Sequence, residues 1–167
     1  MNPKQPAAKP LVIAADHGGF ELKTFLVKEL ERMGRPVVDL GCHSPESVDY
    51  PDYADRVAEA IARGEADMGI LVCGSGIGIS MAANRHRHIR AALVHDHLTA
   101  RLARQHNDAN VLVLGGRLLG PEVARDCLET FLATEFEGGR HSRRIAKFSC
   151  APNELADAVP SSPRRPN

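Results

Sequence analysis

The segment Gly69-Ile70-Leu71-Val72-Cys73-Gly74-Ser75-Gly76-Ile77-Gly78-Ile79-Ser80-Met81 constrains this chain more than any other. An apolar run ends in a cysteine, three alternating glycines follow, and a helical pattern resumes. That order predicts a buried strand, a tight turn and a helix. Glycines there let backbone come close to a ligand and aim N–H groups at negative charge. A thiol beside a helix N-terminus is favoured as thiolate by the positive end of the dipole. One segment therefore offers a base or nucleophile together with an anion cradle.

The same alternation extends along the chain. Strands are predicted over 11–15, 36–40, 68–73, 90–94 and 111–114. Between them lie helical stripes. Leu22, Phe25, Leu26, Leu30 and Met33 share one face before Gly34. Residues 41–52 read as a polar loop with two prolines. Tyr53, Val57 and Ile61 stripe a helix ending near Gly64. Short helices are expected over 77–84 and 97–106. Pro121 opens another at its first turn, with Val123, Cys127, Leu128 and Phe131 as its buried face. Residues 135–141 form a polar break, and a last helix is expected over 142–159. Its apolar stripe of Ile145, Phe148 and Leu155 is thin, which suits docking on a partner subunit.

Strand and helix in alternation predict an α/β, Rossmann-like three-layer sandwich with a five-stranded parallel sheet and an extra C-terminal helix. The expected organisation is a disordered segment over 1–10, one domain over 11–159 and a disordered tail over 160–167. At 167 residues the chain can bury a sizeable core. Basic and acidic residues balance at 21 each, which argues against nucleic acid and membrane partners. Trp is absent, which weakens any base-stacking surface. Cys42, Cys73, Cys127 and Cys150 show no CxxC pairing, so no zinc knuckle is expected. Free thiols and an N-terminus without an apolar core point to a reducing cytoplasm.

In open α/β sheets ligands bind beyond the carboxyl ends of the strands. Those ends read Asp16-His17-Gly18-Gly19, Cys73-Gly74-Ser75-Gly76, His95-Asp96-His97 and Gly115-Gly116-Arg117. Each has a plainer reading: Asp16 as a cap, Cys73 as a core thiol. Arg104-Gln105-His106-Asn107-Asp108 ends a helix, where a His often answers the dipole. Gly138-Gly139-Arg140-His141-Ser142-Arg143-Arg144 reads as a solvated basic turn, or as two guanidinium groups on one face for a phosphate. Arg85-His86-Arg87-His88 reads as a solvated loop.

The motifs D-H-G-G-F-x-L-K (16–23), D-Y-P-D-Y-A (49–54), C-G-S-G-I-G-I-S (73–80), R-Q-H-N-D-A-N-V-L (104–112) and E-G-G-R-H (137–141) closely resemble ribose-5-phosphate isomerase type B. That family also includes galactose-6-phosphate isomerase subunits. The resemblance covers about residues 10–150. It implies an aldose–ketose isomerisation of ribose 5-phosphate and ribulose 5-phosphate through an enediolate, the pentose phosphate pathway reaction, with no metal and no organic cofactor. Cys73 matches the proton-transferring base, and His106 the acid/base that opens the sugar ring. In a branch lacking this Cys, a later Glu serves; here Ile79 stands there, so the chain falls in the cysteine branch. Ser75 stands where many relatives carry Thr. The backbone from Gly74 through Gly76 to Gly78 matches an anion hole. Asp16, His17 and Asn107 match sugar or phosphate contacts, and Arg117, Arg140 and Arg144 a phosphate clamp. The resemblance further implies a homodimer or homotetramer with shared sites. A six-carbon substrate such as allose 6-phosphate is the alternative.

Three other classes compete. A cysteine phosphatase needs Arg at position 79, where Ile79 stands. A dinucleotide module would pair Gly74-x-Gly76-x-Gly78 with Asp96, but the spacing is not G-x-G-x-x-G and the loop follows the third strand. A non-catalytic sugar-phosphate regulator would have no use for both Cys73 and His106.

Overall fold

The computed structural model describes residues 9–149. The segment 1–8, the last ten residues of the expected final helix (150–159) and the tail 160–167 lie outside the described residues. Five parallel strands form one sheet. They are β1 (Leu11–Ala15), β2 (Val37–Asp39), β3 (Gly69–Cys73), β4 (Ala91–Leu93) and β5 (Val111–Gly115). Six α-helices alternate with them: α1 (Phe20–Arg32), α2 (Tyr50–Ala62), α3 (Ile77–Ala83), α4 (His97–Asn107), α5 (Pro121–Ala133) and α6 (Arg140–Ser149). A short 3-10 turn, His17–Gly19, joins β1 to α1.

The strand order is β2-β1-β3-β5-β4. The chain leaves β1 toward one side and returns as β3 on the other, so β1 and β3 flank a topological switch point. β1, β3 and β5 are buried along their whole length, as strands covered on both faces must be. Alternate side chains feed two cores. Ile13, Ile70, Val72, Leu112 and Leu114 pack with Leu26, Leu30, Ala100, Cys127 and Phe131 of α1, α4 and α5. Val12, Ala14, Leu71, Cys73 and Val113 pack with Val57 and Ala58 of α2 and Ile79 of α3. Each fully buried aliphatic side chain contributes ~1.5–3 kcal/mol.

Three details differ from the sequence expectation. Helix α2 begins at Tyr50, inside the expected loop, because Pro51 sits in its first turn, where a missing N–H costs nothing. Helix α6 begins at Arg140, two residues early. On α5 the buried face is set by Ala124, Cys127, Leu128 and Phe131, while Val123 is exposed. Small Ala124 lets the helix lie close to the sheet and turns Val123 outward.

Candidate active site

The loops after β1, β3 and β5 meet backbone on backbone at the carboxyl edge of the sheet. Gly116 N–H donates to Cys73 O at 2.8 Å, and Arg117 N–H to Gly74 O at 2.9 Å. The glycines make this contact possible. A Cβ on Gly19 would lie 2.5 Å from Val72 O, one on Gly116 2.7 Å from Gly18 O, and one on Gly18 3.0 Å from Gly74 Cα. Gly76 caps α3 with φ of 79°, and a Cβ there would strike Leu93 and Leu114.

Into this frame the loops set their functional groups. Cys73 ends β3, almost fully buried, and its Sγ accepts from Gly76 N–H at 3.1 Å. Ser75 Oγ accepts from Ile77 N–H at 3.2 Å. Two of the N–H groups expected to form the anion hole thus bond within the loop. Asp16 is buried, and its Oδ1 accepts from Gly19 N–H at 3.1 Å as the cap of the 3-10 turn. His17 Nδ1 accepts from Val48 N–H at 3.2 Å. The neutral ring therefore carries its proton on Nε2 and offers a donor there. The Arg117 guanidinium lies against Gly74, its Nη1 3.4 Å from where a Cβ would stand. His17, Gly116 and Arg117 line a cavity of about 200 Å³. That is below the roughly 300 Å³ at which small-molecule pockets begin, and Cys73 is not among its lining residues.

His106, Asn107, Arg140 and Arg144 lie elsewhere. Helix α4 starts at the carboxyl edge after β4 and runs back, so its last turn reaches the opposite edge, where β5 begins. There Gly69 N–H, at the start of β3, donates to Asn110 O. Cys73 pairs with Gly115 at the far end of the same ladder. Four strand steps of ~3.3 Å separate the two ends, on the order of 13 Å. One subunit therefore does not bring His106 to Cys73, which sequence reasoning had placed in one site.

The amino edge has its own architecture. Arg104, buried, donates to Asp108 Oδ1 at 2.8 Å and to Ala109 O at 2.7 Å, which locks the end of α4. Arg90 adds a bond to Asp108 Oδ2 at 3.1 Å. Glu137 N–H donates to Gln105 O at 3.0 Å, and Gly138 and Gly139, both at positive φ, turn the chain into α6. His141 is buried and stacks on His106, with ring centroids 4.3 Å apart and planes 8° apart. Burial, then His106, Arg140 and Arg144, hold His141 below its usual value of 6.5, with Glu137 opposing. Glu137 and His141 went unassigned in the sequence; their i,i+4 spacing was the available signal. Asp96 caps α4 by accepting from Thr99 N–H at 2.8 Å, which holds its carboxyl below the usual carboxylate range. The ribose-partner reading of Asp96 finds a helix cap instead. The four-residue basic loop is also structural: His86 bonds Asp55 at 2.6 Å, and His88 bonds Ala58 O at 2.8 Å.

A parallel sheet with a glycine-locked loop, a buried thiol and a guanidinium at its switch point places the chain in the α/β class. Residues 11–148 match the ribose/galactose isomerase family, and the chain belongs to it. It is 47% identical over 137 residues to ribose-5-phosphate isomerase B of Escherichia coli K12, covering 82% of this chain and 92% of that one. A ribose 5-phosphate isomerase from Thermotoga maritima superposes with a TM-score of 0.83 at 55% identity, covering 84% and 97%. The Mycoplasma genitalium enzyme, solved with bound ribulose-5-phosphate, gives 0.80 at 43% identity, covering 84% and 93%. Among the described residues, no helix is long and apolar enough to cross a membrane.

Proposed function

We propose that this chain interconverts ribose 5-phosphate and ribulose 5-phosphate in the cytoplasm, as a pentose phosphate pathway step. We further propose that its active site is shared between two subunits. The observation that carries the shared site is the sheet itself. It separates Cys73, Asp16, His17 and Arg117 from His106, Asn107, Arg140 and Arg144 by the full length of β3 and β5. A sugar phosphate spans too little to touch both edges of one subunit. A second copy that sets its α4–α6 edge against the β1–β3–β5 loops closes the shallow cavity and brings all three arginines to one phosphate. Exposed Ile77, Met81 and Leu118 around the loops supply apolar surface for that contact.

In this arrangement His106 of the second subunit donates to and accepts from the ring oxygens and opens the furanose. Cys73 then removes the proton at C2 as thiolate and returns it at C1. The enediolate oxygen faces the loop amides left open and the His17 N–H. Arg117 on one side and Arg140 and Arg144 on the other hold the phosphate.

A mixing experiment tests this. Cys73→Ala and His106→Asn proteins are each expected to be inactive. Co-refolded in equal amounts, they form half heterodimers, each with one intact Cys73–His106 pair. About a quarter of wild-type turnover on ribose 5-phosphate should return. No recovery in verified heterodimers sinks the shared site. Faster turnover on allose 6-phosphate than on the five-carbon sugar overturns the substrate assignment.

A further inference from the structure

We infer that Asp108, clamped between Arg104 and Arg90, is a positioning residue that sets His106 for opening of the sugar ring. The inference rests on the acid/base role proposed for His106. Asp108 follows Asn107 at the end of α4, with φ of 43° and ψ of 44°. Among the described residues it is the one non-glycine at positive φ. Glycine adopts this conformation freely, whereas a Cβ makes it costly. What Asp108 has over glycine is its carboxylate, and both oxygens are engaged. Oδ1 accepts from Arg104 Nη1 at 2.8 Å, and Oδ2 from Arg90 Nη2 at 3.1 Å. Arg90 Nε also donates to Asp108 O at 2.8 Å, so one guanidinium grips main chain and side chain together.

Arg104 is buried and extends the clamp. Its Nη1 also donates to Ala109 O at 2.7 Å, and its Nε to Thr134 O at 3.3 Å. The end of α4 is thereby tied to the chain entering β4 at Arg90, the chain entering β5 at Ala109 and the end of α5 at Thr134. His106, two residues before Asp108, is partly exposed and stacks on His141. Stacking sets the plane of the ring but lets it slide within that plane. The clamped helix end fixes how far the ring advances. An acid/base must lie within ~2.6–3.2 Å of the proton it moves, and a misplacement of about 1 Å can cost ~10²-fold in rate.

The test uses the two directions of the reaction in the full-length protein. Ribose 5-phosphate is cyclic and must open. Ribulose 5-phosphate is acyclic, because its phosphate occupies the hydroxyl that would close the ring, and the aldehyde it yields can leave open and close in water. Asp108→Gly keeps the backbone conformation and removes both carboxylate bonds. Turnover of ribose 5-phosphate should fall by at least ~10-fold, part of the ~10²–10⁴ that a positioned acid/base supplies. Turnover of ribulose 5-phosphate should be largely kept. Asp108→Asn, which tolerates positive φ and keeps one acceptor, should fall between. Equal losses in both directions, or none, overturn the positioning role. Proton NMR gives a readout free of turnover. The His106 imidazole signal, identified by its loss in His106→Asn, should shift in Asp108→Gly, while that of His86, held by Asp55, stays in place. An unmoved His106 signal overturns the clamp. Should Asp108→Gly not fold, Asp108→Asn decides by the same two readouts. His106→Asn run in both directions reports on the acid/base reading separately: equal losses there overturn that reading.

Discussion

The two edges of the sheet are built on different principles. At the carboxyl edge, three loops interlock through glycine backbone, and the functional groups hang from a frame with almost no room for a methyl group. At the amino edge, side chains do the joining. Arg104 and Asp108 lock the end of α4; among the described residues of α6 the buried side chain is His141, and just before the helix Glu137 N–H bonds Gln105 O. A frame of main chain holds Cys73 and its glycine loop with little room to shift. An edge assembled from side chains can adjust, which suits the proposed sharing of His106 with a second subunit.

The sharpest way to break this contrast is at the carboxyl edge. Cys73→Ala should lower turnover by about 10²–10⁴-fold, the range of a positioned base, with circular dichroism and denaturant midpoint little changed. Near-normal turnover removes Cys73 from the chemistry. Next in size is the frame. Gly19→Ala places its methyl 2.5 Å from Val72 O, backbone that has nowhere to move, and should cost about 1–3 kcal/mol by denaturant titration. Gly120→Ala meets nothing within 4 Å at an ordinary φ of −69° and should cost less than Gly19→Ala, only the fraction of a kcal/mol by which Ala is a poorer N-cap than Gly. Equal costs at the two glycines contradict a load carried by backbone contact.

The carboxyl edge was legible in the sequence because its signal is local. An apolar run, a cysteine and spaced glycines lie within one segment, and β3 and α3 fall where that segment predicts them. The parallel sheet followed from the alternation of periods. The amino edge was not legible as a place. The motif around His106 reads as a helix end, but which edge that end reaches depends on the crossover of α4 from β4 to β5, a property of topology. Arg104 drew no role from the sequence, yet burial and three carbonyl or carboxylate partners make it a structural clamp. Val123 was misplaced by one position because Ala124, with no side-chain bulk to announce it, is the residue that meets the core.

The proposed phosphate contacts sharpen the comparison from both sides. Arg117→Ala at one edge and Arg140→Ala at the other should each raise KM for the phosphorylated sugar by about tenfold or more, the loss of a charge-assisted hydrogen bond. In both, kcat should change less. Affinity for the unphosphorylated sugar should hold. An unchanged KM in Arg140→Ala takes the amino edge out of phosphate binding.

The smallest effect separates the edges by pH. His141 titrates below its ordinary 6.5 in the folded chain, first because it is buried and then because His106, Arg140 and Arg144 repel a further positive charge. As pH falls from about 6.5 toward that lowered value, the unfolded chain takes up a proton that the folded chain refuses, so stability falls. Above 6.5 both states are neutral and His141 contributes no slope. His141→Gln removes this proton, and its denaturant midpoint should decline less than wild type between pH 7 and 5.5. Cys127 gives the opposite limb: burial pushes its thiol up to about 11 from 9.0, so the unfolded chain ionises first and stability falls as pH rises above 9. Parallel acid limbs in wild type and His141→Gln place the titrating group elsewhere and leave the stacked imidazole pair without an electrostatic consequence.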